Sequence, residues 1–333
     1  MQHGIECRGR PASLIRFQNA EARDNGIENG LGEPMSNHAY PYQLAERATE
    51  VDAGALALLV ARLCFASDFL LFGSRKFANP SIIYNLIETH HLPGELVYPT
   101  IVLQLGCGLL VLLGLQTRLA AAALAWFCIV APSIFWLDNL ENLSRDYAAA
   151  GGLMLLCLFG PGPLSLDARL RNMRDLAATT VPAIVDNALL INRVMLAARA
   201  LIAFPFLADV VKKLIYFGPQ RALMEKSGIP GDAIYLVLLI ELVCGAAVLI
   251  GYRTRLAAAG LLAWAAVLGF VIHYPGYEFS HASKSLGEVW TANFYNRGAA
   301  TFFKDITTIG ALLMLLVHGP GALSRDARAQ PPN

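Results

Sequence analysis

The stretch Gly114-Leu115-Gln116-Thr117-Arg118-Leu119 is answered 137 residues later by Gly251-Tyr252-Arg253-Thr254-Arg255-Leu256. At that offset, without gaps, Arg62 falls on Arg199, Lys76 on Lys213, Pro93-Gly94 on Pro230-Gly231 and Cys107-Gly108 on Cys244-Gly245. An insertion of 22 residues in the second half changes the offset to 159. There Arg145-Asp146 meets Lys304-Asp305, Gly160-Pro161-Gly162 meets Gly319-Pro320-Gly321, and Ser165, Asp167 and Arg169 meet Ser324, Asp326 and Arg328. Coincidences this numerous at two fixed offsets mark a tandem repeat.

The repeated unit reads as membrane-spanning. Of 333 residues 56% are apolar and 15% charged, against about 25% charged in an ordinary soluble domain. A helix needs about 20 apolar residues to cross the hydrocarbon, where its backbone has no water to bond. Residues 96–117, 119–137, 147–166, 256–277 and 306–324 meet that length without a charge. Three further runs carry internal charges: 54–72 with Arg62 and Asp68, 189–208 with Arg193 and Arg199, and 233–251 with Glu241. The expected fold is all-α, with eight transmembrane helices in two four-helix bundles. An even number of spans per unit returns the chain to its starting face, so the repeats should be parallel.

The expected divisions are a disordered polar tail over residues 1–53, repeat 1 over 54–186, repeat 2 over 187–328 and a short tail over 329–333. The first 50 residues lack the apolar core of a signal peptide. Met35 is the expected translation start, because Gly32-Glu33 before it can be encoded by a purine-rich ribosome-binding stretch. The tight basic loops at 116–118 and 252–255 place the termini in the cytoplasm by the positive-inside rule. We call the face bearing these loops the first face. A net charge of +1 provides no field for nucleic acid. The six cysteines show no metal-ligand or redox spacing, so no metal is expected.

Taken together, an Arg inside the first helix, Gly73-x-x-Lys76 at its end, Glu241-Leu-x-x-Gly245, Gly-x-x-Thr-Arg-Leu and Gly-Pro-Gly-x-x-Ser-x-Asp resemble the DoxX family. The resemblance covers nearly all of residues 55–328 as two copies. It implies small four-helix prokaryotic inner-membrane units, some tied to quinone-linked sulfur oxidation and some to oxidative-stress complexes. The copies have diverged: repeat 2 has Glu241, His273 and Pro205 where repeat 1 has Gln104, Trp136 and Asp68.

Charged groups inside spans are costly and mark functional sites by default. Glu241 lies roughly 12 Å deep and Arg199 roughly 15 Å at 1.5 Å per residue, so these two are expected to pair. Lys213, His273 and Asp305 fall at helix ends on the second face, above that pair. The candidate site is therefore Arg199, Lys213, Glu241, His273 and Asp305, with Arg62, Asp68, Lys76, Gln104 and Asp146 as its counterpart in repeat 1. Its bland alternative is an ion-pair clamp, a snorkelling Lys213 and a helix-capping Asp305. Aromatic residues from Tyr277 to Phe303, with His281, suit a lid in the headgroup zone. These features suggest a quinone-interacting membrane component working with a partner oxidoreductase subunit in the bilayer. The rival readings are a small-solute permease and a ligand-free scaffold.

Overall fold

A charge-free run in hydrocarbon can satisfy its backbone only as a helix or a closed barrel, and the computed structural model shows helices throughout, with no strand among the described residues. The structure describes residues 53–137, 139–174, 188–226, 228–272 and 297–328. The long helices are α1 (Ala53–Ala78), α3 (Val97–Leu113), α4 (Thr117–Phe135) and α5 (Leu140–Phe159) in repeat 1. Repeat 2 has α7 (Ala188–Ile215), α9 (Ala233–Ile250), α10 (Thr254–Val267) and α11 (Arg297–His318). Shorter helices are α2 (Pro80–Thr89), α6 (Leu166–Arg174), α8 (Phe217–Lys226) and α12 (Arg325–Arg328). Residues 1–52 of the expected tail 1–53, the Met35 start, His273, the aromatic stretch 274–296 and the tail 329–333 lie outside the described residues.

Among the described residues, seven stretches are long and apolar enough to cross a membrane. Helix α5 is the remaining long helix. Its first two turns carry Glu141, Arg145 and Asp146, which shorten its apolar length. Its middle is enclosed by protein: Ala148, Ala150, Leu153, Leu155 and Leu156 have no exposed surface. By contrast, α9 turns Leu236, Leu239, Leu242 and Val243 outward, the pattern of a lipid-facing surface.

Within each repeat, helices pack in chain order: α1 on α3, α3 on α4, α4 on α5, and likewise α7, α9, α10 and α11. Between repeats, α1 packs on α11, α7 on α5, and α5 on α11. Small residues carry this seam. A Cβ on Gly151 would stand 2.7 Å from the Ala198 carbonyl oxygen, and one on Gly310 would stand 3.1 Å from that of Ala61. Gly151 matches Gly310 and Ala198 matches Ala61 in the repeat, so the two contacts are one contact made twice. Such reciprocity belongs to a two-fold relation between the halves. Close approach through small residues is how helices gain contact in lipid, where the hydrophobic effect gives no preference for helix over tail.

Candidate functional site

Two polar layers lie at opposite ends of the bundle. On the first face α3 ends at Gly114 (φ 70°) and α9 at Gly251 (φ 77°). The left-handed conformation suits glycine, and a Cβ at Gly251 would also stand 2.6 Å from that of Ser324. Asp326 accepts from the amides of Arg253 (2.6 Å) and Thr254 (2.9 Å) and from the Thr254 hydroxyl (3.0 Å). Asp167 repeats this set on Gln116 and Thr117 at 2.8, 3.1 and 3.1 Å. Ser165 and Ser324 cap the short helices α6 and α12 by accepting from Ala168 and Ala327. Beneath each latch lies an arginine: Arg62 donates to the Leu164 carbonyl at 2.7 Å and Arg199 to that of Leu323 at 2.9 Å. The repeated motifs at 114–119, 160–167, 251–256 and 319–326 are thus two copies of one helix-end latch.

Burial alone would raise the Asp326 carboxyl, but the amides of Thr254 and Arg253, the Thr254 hydroxyl and the Arg199 charge hold it below the ordinary range. A depressed carboxyl contributes stability above its unfolded pKa and loses it as pH falls through the folded value. Asp326→Asn should therefore lower the thermal midpoint near pH 7, and the gap from wild type should close on acidification through the carboxylate range. Melting curves at stepped pH in detergent check this; a gap independent of pH would contradict it.

The second face holds the charged cluster. Lys213 donates to both oxygens of Glu241 at 2.8 Å and also to Asp209. The Trp264 indole N–H donates to Glu241 Oε1 at 2.7 Å. The expected Arg199–Glu241 pair does not form. The cause is side-chain direction: helical side chains lean toward the helix N-terminus. Arg199 and Lys213 of α7 both lean toward the first face, so Arg199 reaches the 323 carbonyl while Lys213 reaches back to Glu241. Gln104 likewise makes no bond to Arg62; its Oε1 has no partner among the described residues. Asp68 lies in electrostatic range of Lys76, Asp146 and Lys304.

The halves exchange ion pairs. Lys304 lies 3.1 Å from Asp146, and Arg145 lies 3.6 Å from Asp305. Since Arg145-Asp146 and Lys304-Asp305 are matched pairs, each repeat supplies the acid for the other's base. Asp305 lies two turns inside α11, so it does not cap that helix. Arg145 also binds Glu141 at 3.1 Å, and Glu141 pairs with Lys212. Sequence reading missed Asp209, Trp264, Glu141 and Lys212. Only Asp209 carried a signal, being four residues before Lys213 on one helix face.

These groups frame a cavity of about 440 Å³ between the repeats. Its polar lining includes Glu141, Arg145, Asp209, Lys212, Glu241 and Asp305. Pro205, Phe206, Val211, Ile215 and Leu268 are among its apolar lining. Leu268 begins a π-helical turn, Leu268–Ile272, a distortion common at functional sites. Of the expected lid, Phe302 and Phe303 are described, and Phe302 stacks edge-on with Phe270 at 5.6 Å.

Duplicated helix-end latches, a reciprocal glycine seam and apolar helices of spanning length together define a polytopic membrane protein built from a tandem four-helix unit. The DoxX family profile matches residues 57–137 and again 194–274. The chain is 30% identical over 132 residues to the inner membrane protein YqjF of Escherichia coli, covering 88% of that protein and 40% of this chain. An uncharacterized membrane protein of Mycobacterium tuberculosis is 30% identical over 139 residues, with 80% of it and 40% of this chain covered. A Surfeit locus protein 4 homolog of Drosophila melanogaster is 26% identical over 276 residues, covering 87% of that protein and 80% of this chain. No solved structure matches. The chain belongs to the DoxX family and carries its unit twice.

Proposed function

We propose that the cavity between the repeats binds the head of a lipid-soluble ligand, with a quinone as the first candidate, and that the chain serves as the membrane component of an oxidoreductase system whose electrons come from a partner subunit. The observation that carries this reading is the mixed lining: apolar walls from α7 and α10 meet Arg145 and Lys212 within one cavity of about 440 Å³. Ligand sites typically combine an apolar lining with a few placed polar groups at this scale. A quinone ring would lie against Phe206 and Leu268, and its carbonyls would accept from Arg145 and Lys212. Carboxylates beside it, Glu241 and Asp305, are of the kind that exchange protons with a quinol. Permeation fits less well, because the layer between the cavity and the first-face latches is packed with Phe65, Leu124, Ile202 and Leu261, none of them exposed.

The full chain purified in mild detergent, extracted for lipids and titrated with decylubiquinone, tests the proposal. Near-stoichiometric retention should fall at least tenfold in Lys212→Met or Arg145→Gln at unchanged folded yield. Equal retention in wild type and both variants would defeat the quinone reading, and a partner recovered without any lipid-soluble ligand would favour the scaffold. We place the protein in the inner membrane with both termini cytoplasmic, from its basic first-face loops.

A further inference from the structure

The two ends of the cavity between the repeats differ. Along α7 its wall begins with Phe206 and Ala208, both buried, and continues to Val211 and Ile215, which are 50% and 67% exposed. Leu140 at the start of α5 and Tyr216 just past α7 complete this open end and are exposed as well. Residues so open cannot face the cavity alone; they also form the outer surface there. The apolar span of α7 runs to Ile215, so the open end lies where hydrocarbon meets the headgroups, with Tyr216 in the zone that aromatic residues favour. An apolar strip on the outside of a span is a lipid-facing surface.

One ion pair crosses this mouth. Glu141, in the first turn of α5, takes Lys212, in the last turn of α7, and so joins the repeats. Glu141 also holds Arg145 at 3.1 Å, and Arg145 lies 3.6 Å from Asp305 deeper in the wall. Lys212 and Glu141 are partly exposed, whereas Arg145 and Asp305 are largely enclosed. The outer link is therefore the one that opens at least cost, since an exposed pair gains little over its separate hydrated ions. The sequence provides this mouth once: Ser74, Asn79 and Ala300 stand at the positions matched to Val211, Tyr216 and Glu141, so neither the apolar strip nor the acid recurs. The cavity, about 440 Å³, is near the small end for ligand sites, with room for a head group but not for a long chain as well. Val211 and Ile215, one turn apart on one helix face, offer a single strip along which one chain can lie.

We propose that the cavity is entered sideways from the membrane between α5 and α7, that its ligand is a single-tailed amphiphile whose chain stays outside along Val211, Ile215 and Tyr216, and that the Glu141–Lys212 pair is the strap that closes the mouth. This inference rests on the ligand-binding reading above and specifies the class of ligand and its route. The arriving head takes the place of Glu141: Lys212 leaves the carboxylate and donates to an acceptor oxygen of the head. Asp305 keeps Arg145, so the repeats stay joined behind the opened strap.

The test uses the full chain in vesicles of phosphatidylethanolamine and phosphatidylglycerol with two photoreactive probes. Each is a decyl chain carrying a diazirine; one ends in benzoquinone, the other in a primary alcohol. Mass spectrometry of the cross-links should place both chains on residues 211–216. Labelling there should speed up about threefold in Glu141→Gln, the scale of one partly exposed ion pair, and should also speed up at raised salt, which screens such a pair. Labelling of the lipid-facing surface of α9 should respond to neither. Chains found no more on 211–216 than on α9, or a rate at 211–216 that ignores both Glu141→Gln and salt, would overturn the proposal. Salt acts on the wild-type chain, so it decides even if Glu141→Gln does not fold. Equal capture of both probes with this response supports the mouth while removing the preference for quinone. Quinone retention without cross-links at 211–216 would keep the quinone reading and defeat the side entrance.

Discussion

Replacing Glu241 with leucine is expected to cost about 3–5 kcal/mol, enough to abolish most folded yield, because it strands the buried Lys213 ammonium. Glu241 has no exposed surface and Lys213 is 6% exposed, so neither charge can be handed to water without opening the helices. Asp209 remains as a partner but is itself at the cavity wall. Lys213→Met should be about as costly, since it leaves Glu241 with the Trp264 N–H alone. The double variant Glu241→Leu/Lys213→Met removes both charges and should recover most of the folded yield, as replacement of buried ion pairs by apolar groups often does. Glu241→Gln should fold nearly as well as wild type, because the amide still accepts from Lys213 and Trp264 and repeat 1 already has Gln104 there. Folded yield by size exclusion and thermal midpoints of the four variants check this set. A double variant no better than either single would show that the pair is not the source of the cost. Restoring an acid next to Gln at 241, by Glu241→Gln/Pro205→Asp, recreates the arrangement of repeat 1. Near-wild-type yield in this double variant with quinone retention lost would mark Glu241 as part of a working site rather than a clamp.

Gly151→Val is expected to break the seam between the repeats. The added Cβ would meet the Ala198 carbonyl oxygen at 2.7 Å and Ile202 Cγ1 at 2.9 Å, and a carbonyl within helix α7 cannot move aside as a side-chain tip can. Overpacking of a core costs about 1–3 kcal/mol where side chains can adjust, and a backbone obstacle puts this change at or beyond the upper end. Gly310→Val should behave the same way, since it meets Ala61 and Cys64 in the mirror position of the seam. Gly106 supplies the control: nothing lies within 4 Å of a Cβ placed there, so Gly106→Ala should be neutral or slightly stabilising by helix propensity. Comparison of detergent melting midpoints and protease resistance separates the cases. Equal tolerance at 106 and 151 would contradict the close-packed seam.

The repeat and its helical content were legible in the chain because they rest on local rules. Length without charge dictates a helix in hydrocarbon, whereas the helix ends were less legible: the expected run 96–117 passes through Gly114, where the left-handed backbone in fact stops α3. The duplication is a property of the string itself. The burial of Lys213, Glu241 and Asp305 was foreseeable too, since a charge within an apolar run stands out wherever it falls. What was misread was pairing. Arg199 and Glu241 sit at similar depths along their helices, yet depth says nothing about lean or azimuth, and those assign Arg199 to the 323 carbonyl and Glu241 to Lys213.

By itself, then, the sequence determined that the chain is a helical membrane protein carrying one unit twice, and which polar residues must be sheltered from lipid. Tertiary structure alone decided that the copies join by exchanging partners, Arg145 with Asp305 and Lys304 with Asp146, across a glycine seam. It also decided that Glu241 is held by Lys213 and the Trp264 indole, where repeat 1 has Phe127 in place of the indole. The reason is that helix formation uses bonds within a few residues, whereas the partner of a buried charge is set by which helix faces meet, and matched positions in two repeats look alike until those faces are brought together.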